Sequence, residues 1–216
     1  HVARVIDFGR FENGMPYMAM ELLSGEDLSQ RLARVGTLAV TDAITMVLQA
    51  CEALAEAHML GVVHRDLKPA NLFLHSRRDG TEIVKVLDFG ISKLASDAAV
   101  HLTNSSAVMG SPLYMSPEQL HNARTVDTRT DIWAIGTILY ETTTGQAPFA
   151  SAAKSSLAEL GIAITHDDPP HMRQVHPGFS AIVMRCLAKH PAERFQDVGT
   201  LAIALSSLPG VTQDHI

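Results

Sequence analysis

Cysteine is scarce in this chain, and no apolar run is long enough to cross a membrane. Only Cys51 and Cys186 occur among 216 residues, which is too few for a disulfide framework and favours a reducing compartment. The most apolar run, residues 132–140, lies between Asp131 and Glu141 and is far shorter than the roughly 20 residues that a bilayer span requires. The start of the chain shows no basic stretch followed by an apolar one, so no secretory signal is seen.

An excess of positive charge is also missing. Seventeen Lys and Arg residues face 23 Asp and Glu residues, which gives a net charge of −6 with histidine neutral, and the sequence pI is about 6.0. We therefore expect neither nucleic acid nor a membrane surface as a partner of this segment. With 46% hydrophobic and 19% charged residues, the chain can bury a substantial core, which predicts one large globular domain or two small ones.

Two sequence features common in nucleotide-binding proteins are absent. No two of the 14 glycines are separated by a single residue, so the pattern G-x-G does not occur. The pattern G-x-x-x-x-G-K-[ST] does not occur either, which excludes a P-loop hydrolase. The earliest lysine is Lys68, so no lysine upstream of it can pair with nucleotide phosphates.

The spacing of apolar and turn residues predicts a β-rich start followed by helices. The turn Glu12-Asn13-Gly14 is a strong hairpin signal. From Thr41 apolar residues recur every three or four positions, which predicts an amphipathic helix that Thr41 or Asp42 caps and Gly61 ends. The predicted strands cover residues 3–9, 15–22, 62–63, 72–74 and 83–87. Further helices are predicted over residues 131–140, 151–164, 178–188 and 196–206, and a long exposed loop over residues 90–117.

One group of polar and charged residues indicates a catalytic site. The stretch His64-Arg65-Asp66-Leu67-Lys68-Pro69-Ala70-Asn71 is followed by Asp88-Phe89-Gly90, whose aspartate lies 22 positions after Asp66. A carboxylate can orient a hydroxyl and accept its proton, an ammonium can neutralise a phosphoryl group, and amide and carboxylate oxygens can hold Mg²⁺. Each pattern alone is weak, because Asp-x-Lys usually marks a solvated loop and Asp-Phe-Gly a turn. Both patterns in this order are too specific for chance.

This group of residues resembles the catalytic loop H-R-D-L-x-x-x-N and the metal-binding triplet D-F-G of eukaryotic-type protein kinases, and the alanine-rich helix before it is most similar to that of bacterial members. The resemblance implies an α+β protein-kinase-like fold with a mainly helical large lobe and the last two strands of a β-rich small lobe. It implies catalytic roles for Asp66, Lys68 and Asn71, and metal binding by Asn71 and Asp88. The implied cofactors are ATP and Mg²⁺, and the implied reaction transfers the γ-phosphoryl group to serine or threonine of a protein substrate.

A mostly apolar run upstream is similar to the hinge between the two lobes of these kinases. The resemblance gives five residues a place around the nucleotide: the gatekeeper Met20, the backbone of Glu21 and Leu23 at the adenine edge, Asp27 near the ribose, and Phe73 below the adenine. The alternative interpretation of this run is an edge strand that leads into a helix. For Met20 and Phe73, packing in the core is as good an explanation as contact with a ligand.

Downstream segments resemble structural elements of the same family. Residues 115–118 match the A-P-E element, with serine in its first position, and close the activation loop that begins at Asp88. Asp131 resembles an aspartate that is tied to the backbone of the catalytic loop. Arg194 resembles an arginine that pairs with the glutamate of A-P-E, so we expect a buried ion pair between Glu118 and Arg194.

The implied activation loop contains possible phosphorylation sites. Arg65 lies where a phosphorylated loop could dock. The candidates for autophosphorylation are Thr103, Ser105 and Ser106. Most serines and threonines in loops are ordinary polar residues, and this alternative applies to all three. Lys68, together with Ser111 at a position where serine/threonine kinases usually carry threonine, favours transfer to serine or threonine over transfer to tyrosine.

The glycine-rich loop and the nucleotide-binding lysine of the family are not found. We therefore expect residues 1–23 to be the end of a small lobe and the hinge, residues 24–208 the large lobe and residues 209–216 a tail, in a cytoplasmic domain of a longer polypeptide. Residues 1–216 alone should bind ATP weakly, transfer negligible phosphate and aggregate through an exposed apolar face. The alternative is a non-catalytic, kinase-like interaction scaffold that begins here, and the intact catalytic set argues against it.

Overall fold

The computed structural model describes residues 1–89, 112–122 and 126–211, and in these residues the predicted order of a β-rich start followed by helices is confirmed. The strands are β1 (Val5–Arg10), β2 (Pro16–Met20), β3 (Gly25–Asp27), β4 (Leu72–Ser76) and β5 (Glu82–Val86). The α-helices are α1 (Leu28–Val35), α2 (Val40–Met59), α3 (Pro117–Asn122), α4 (Arg129–Thr144), α5 (Ala150–Ser155), α6 (Leu157–His166), α7 (Pro177–Cys186) and α8 (Val198–Ser206).

The predicted hairpin at the start is confirmed. Strands β1 and β2 pair antiparallel, with Arg10 opposite Pro16, and Gly14 adopts the positive φ of 81° that the turn between them requires. Apolar side chains of the hairpin lie in solvent, because Ile6 is 63% and Phe8 is 78% exposed. The exposed apolar surface expected from the sequence is therefore present on these strands.

A second sheet has the strand order β3-β4-β5, and its first strand was not predicted. Gly25 allows β3 to lie close to β4, because it has a φ of 133° and a Cβ there would come within 2.0 Å of the Leu74 carbonyl oxygen. At the opposite edge, Val86 donates its N–H to the His1 carbonyl (2.7 Å) and accepts from the N–H of Ala3 (3.2 Å). The first residues of the chain thus continue the sheet beyond β5.

The long amphipathic helix is confirmed as α2, but the prediction of its cap is wrong. The N-cap residue is Ala39, with no side-chain cap, so the helix starts before Thr41 and Asp42. Leu38 and Val40 pack against the core, and this tertiary contact sets the start of the helix. Gly61 lies just past its end with a φ of 74°, as predicted.

The core is built around α4, which is buried on nearly every face. Gly136 lets α7 approach closely, since a Cβ there would lie 2.6 Å from the Cβ of Cys186. Cys51 and Cys186 are buried free thiols, and burial raises the pKa of Cys51 to about 12, so this thiol stays protonated and packs like an apolar residue. The prediction that both cysteines are packing residues is confirmed.

Four further predicted elements differ in how well they match the structure. The helix predicted over residues 151–164 is two helices, because the Ser156 side chain accepts from the N–H of Glu159 and caps α6. The helices predicted over residues 178–188 and 196–206 are confirmed as α7 and α8. The strand predicted over residues 62–63 is absent among the described elements, because the N–H of Val62 donates to Ala57 at the end of α2.

Across the residues that the structure describes, no helix combines the length and the hydropathy needed to cross a membrane. The division into residues 1–23, 24–208 and 209–216 stays a prediction.

Candidate active site

The candidate catalytic loop, residues 64–71, is held by a buried aspartate of α4. Asp131 is 1% exposed, and its Oδ2 accepts from the backbone N–H of His64 (2.9 Å) while its Oδ1 accepts from that of Arg65 (2.9 Å). The His58 ring donates to the same Oδ2 at 2.8 Å. Arg65 has a positive φ of 64°, which is costly for a non-glycine residue. The carboxylate of Asp131 stabilises this conformation, and the predicted tie to the loop is confirmed.

His64 connects the loop to the strand that precedes Asp88. Its Nε2 lies 2.8 Å from the Leu87 carbonyl oxygen and its Nδ1 lies 3.3 Å from the Asp66 backbone nitrogen. A carbonyl only accepts, so Nε2 carries the hydrogen and Nδ1 accepts. The ring also contacts Phe89, with centroids 4.9 Å apart. Both ring nitrogens of His64 therefore have hydrogen-bond partners within the protein. These contacts fit the prediction that His64 packs in the core rather than binds metal.

Asp66 and Lys68 form an ion pair within the loop. Asp66 Oδ2 lies 2.9 Å from Lys68 Nζ, and the two side chains are 23% and 25% exposed. A carboxylate and an ammonium in this arrangement can together act on a hydroxyl and on the phosphoryl group that approaches it.

Asn71 and Asp88 lie on chain segments that the backbone joins. Asn71 donates from Nδ2 to the Asp66 carbonyl (2.8 Å), which leaves its Oδ1 as the atom that can accept or ligate. The N–H of Leu87 donates to the Asn71 carbonyl at 2.9 Å, and Asp88 follows with a positive φ of 52°. One amide oxygen and one exposed carboxylate are hard donors of the kind that Mg²⁺ prefers. The residues present therefore fit the implied metal.

One residue of the hinge-like run, Asp27, also caps helix α1. Asp27 Oδ1 accepts from the Gln30 N–H (3.0 Å) and the Ser29 hydroxyl (2.6 Å), so Asp27 caps α1 in addition to any contact with a ribose. Asp27 also lies directly opposite Phe73 in the β3–β4 register. The remaining residues of this prediction lie at the end of β2 or just after it: Met20, Glu21 and Leu23.

The predicted ion pair at A-P-E is confirmed. Arg194 Nη1 and Nη2 lie 2.7 and 2.8 Å from the two carboxylate oxygens of Glu118, and Arg194 is 0% exposed. A neighbouring contact was missed from the sequence: Gln119 donates from Nε2 to the Arg65 carbonyl at 2.7 Å. Two adjacent residues in the first turn of α3 thus fix the helix, one to the catalytic loop and the other to Arg194.

A second contact missed from the sequence joins Tyr114 to Glu141. The phenol donates to the carboxylate at 2.6 Å, and burial raises the pKa of both groups. The two residues lie 27 positions apart, and nothing in the local pattern marks them as partners. The activation-loop candidates Thr103, Ser105 and Ser106, together with Gly90 and Ser111, lie outside the described residues.

Asp131→Asn should lower the free energy of unfolding by about 2 to 3 kcal/mol and slow any reaction at the loop. The amide of asparagine has one accepting oxygen in place of two, so at least one of the three donors loses its acceptor and the buried charge that holds Arg65 disappears. Asp127→Asn is the matched control, because Asp127 lies just before the same helix with its side chain 54% exposed. Equal denaturant midpoints for the two variants would contradict the role of Asp131.

Comparison with known proteins agrees with this geometry. The model of the family described as "Protein kinase domain" matches residues 1–202. The chain therefore belongs to the protein kinase family, and the α+β kinase-like fold expected from the sequence is confirmed.

Several bacterial serine/threonine-protein kinases are among the relatives that match the chain. Pkn3 of Myxococcus xanthus is 40% identical over 197 residues, which cover 88% of this chain and 36% of that protein. Pkn1 of the same organism is 43% identical over 195 residues, 88% of this chain and 27% of the relative. PknB of Mycolicibacterium smegmatis is 37% identical over 202 residues, 90% of this chain and 31% of the relative. The chain thus spans about a third of the length of the curated relatives that it matches.

Proposed function

We propose that this chain supplies the catalytic lobe of a bacterial serine/threonine protein kinase that transfers the γ-phosphoryl group of ATP to protein hydroxyls. The observation that carries the proposal is a single hydrogen-bonded unit: the Asp66–Lys68 ion pair (2.9 Å), the Asn71 amide on the Asp66 carbonyl (2.8 Å), and the Leu87 N–H on the Asn71 carbonyl (2.9 Å). This unit joins Asp66, Lys68 and Asn71 and leads directly to Asp88, and these are the four residues that the proposed reaction needs.

Each side chain has a task in this reaction. Asp66 orients the acceptor hydroxyl and takes up its proton, and Lys68 places a positive charge beside the transferring phosphoryl group. Asn71 and Asp88 hold Mg²⁺ through Oδ1 and the carboxylate, and the metal, when bound, neutralises phosphate charge. No covalent intermediate is needed, because the transition state is loose and the protein mainly positions and stabilises charge.

The nucleotide base would lie against the hinge-like run. The backbone of Glu21 and Leu23 binds the adenine edge, with Met20 beside it and Phe73 below. Asp27 contacts the ribose through the carboxylate oxygen that does not cap α1. The opposition of Asp27 and Phe73 in the sheet register supports this arrangement, since residues directly opposite each other in an antiparallel pair lie on the same face.

The proposal also includes the acceptor residues and the cellular compartment. The printed names of the relatives support serine and threonine as acceptors. Autophosphorylation is proposed at Thr103, Ser105 or Ser106. Buried free cysteines support a reducing, cytoplasmic setting for this domain.

The test is phosphoryl transfer by the full-length protein that contains this chain. Radiolabelled γ-phosphate should pass from ATP to the protein itself or to a general acceptor such as myelin basic protein, with Mg²⁺ present and not with EDTA. Acid hydrolysis should then recover phosphoserine and phosphothreonine. Label on tyrosine alone would contradict the acceptor class. Absence of label in every metal condition would favour the scaffold alternative.

A further inference from the structure

A partly buried ion pair links the hinge-like run to strand β5. Lys85 Nζ lies 2.9 Å from Glu21 Oε1, and the side chains are 17% and 24% exposed. Lys85 also donates to the Val2 carbonyl at 3.2 Å. Glu21 Oε1 accepts from the backbone N–H of Arg4 at 2.9 Å. One carboxylate oxygen thus joins the start of the chain, the end of β2 and the middle of β5.

Lys85 lies next to the proposed nucleotide site. It is directly opposite Phe73 in the β4–β5 register, and Phe73 is directly opposite Asp27 in the β3–β4 register. Side chains directly opposite each other in antiparallel strands lie on the same face of the sheet. Lys85 therefore shares a face with the two residues proposed to contact the base and the ribose.

The same strand leads straight to the proposed metal ligand. Val86 is bonded to the backbone of His1 and Ala3, and the N–H of Leu87 donates to the Asn71 carbonyl. Asp88 is the next residue. Lys85, Val86 and Leu87 thus each have a hydrogen-bond partner outside the β4–β5 hairpin. Of these three residues, only Lys85 has a charged side chain, and it pairs with Glu21.

We propose that Glu21 and Lys85 are positioning residues that set the separation between the hinge backbone and Asp88. This inference rests on the proposed function, in which ATP is held at the hinge by its base and near Asp88 by its phosphates. A ligand held at both ends binds well only if the two contacts stay at a fixed separation. The pair touches neither the reacting atoms nor the acceptor protein, so it should affect nucleotide binding and not acceptor binding.

The experiment compares Lys85→Met, Lys85→Arg and Glu82→Gln in the full-length protein. Lys85→Met should raise both the KM for ATP and the Kd of Mg·ADP about tenfold, because a charge-assisted hydrogen bond is lost, and should leave the KM for myelin basic protein unchanged. Lys85→Arg should keep both nucleotide constants within about twofold of the wild type, since it retains the charge and a donor. Glu82→Gln should change neither constant, although it breaks an ion pair of the same strand with Arg31 (2.8 Å).

Three results would overturn this inference. They are wild-type nucleotide constants in Lys85→Met, a rate of transfer in Lys85→Met above that of the wild type, or an equal loss of nucleotide affinity in Glu82→Gln. Failure of the proposed function looks different, because the wild-type protein would then transfer no phosphate at all. The Kd of Mg·ADP still reports on the pair in that case, and an unchanged value in Lys85→Met rejects it.

Discussion

Asp66→Asn should lower kcat of the full-length protein about a thousandfold, because a positioned general base typically contributes a factor of this size. Asparagine has nearly the same shape, and the backbone groups of residue 66 keep their bonds to His64 and Asn71. The amide cannot take the proton of the acceptor hydroxyl, and its oxygen attracts Lys68 less strongly. The KM for ATP should change little, since Asp66 lies on the acceptor side of the proposed reaction.

Steady-state transfer to a protein acceptor at saturating ATP and Mg²⁺ measures this effect. Asp42→Asn is the matched control, because Asp42 is an exposed acid in the first turn of α2, and its kcat should equal that of the wild type. A kcat for Asp66→Asn within tenfold of the wild type would remove Asp66 from the mechanism. Thermal unfolding of both variants separates loss of chemistry from loss of fold.

Arg194→Met should lower the free energy of unfolding of the domain by about 3 to 5 kcal/mol, the cost of breaking a buried pair from one side. The guanidinium is 0% exposed and has five donors, all of which are used. Two bind Glu118, and the others bind the carbonyls of Ala188, Arg129 and Lys189. Methionine removes the donors that Arg194 supplies to these three carbonyls and to the carboxylate.

Denaturant titration of the domain transition measures the loss. Arg185→Met is the matched control: Arg185 is exposed and packs over the Phe195 ring at 4.2 Å, so its loss should cost less than about 1 kcal/mol. Arg194→Lys should recover only part of the stability, because an ammonium has three donors and no planar fork. A midpoint of Arg194→Met equal to that of Arg185→Met would show that the network contributes nothing to stability.

Much of this candidate site could be predicted because most of its residues lie close together in the sequence. Asp66, Lys68 and Asn71 share one loop, and Asp88 follows a strand with a clear apolar pattern. The pair of Glu118 and Arg194 lies 76 positions apart and was expected only through resemblance to the family. Contacts of Lys85 with Glu21 and of Tyr114 with Glu141 have no local signal, because each joins segments that meet only in the folded chain.

Helix ends and short strands were the least predictable parts of the fold. The N-cap of α2 is Ala39 and not Thr41 or Asp42, because packing of Leu38 and Val40 decides where the helix starts. Strand β3 is only three residues long and depends on pairing with β4, which lies about fifty positions later. A periodic pattern cannot appear in three residues.

The hydrogen bonds of Asn71 limit how the candidate active site could change shape. Its side chain is hydrogen-bonded to the Asp66 carbonyl and its own carbonyl to the Leu87 N–H, so these bonds couple Asp66 to Asn71 and to the segment that leads to Asp88. Separation of these residues would break both hydrogen bonds. If ATP binds as proposed, any motion that admits it should therefore leave the relative positions of Asp66, Asn71 and Asp88 unchanged.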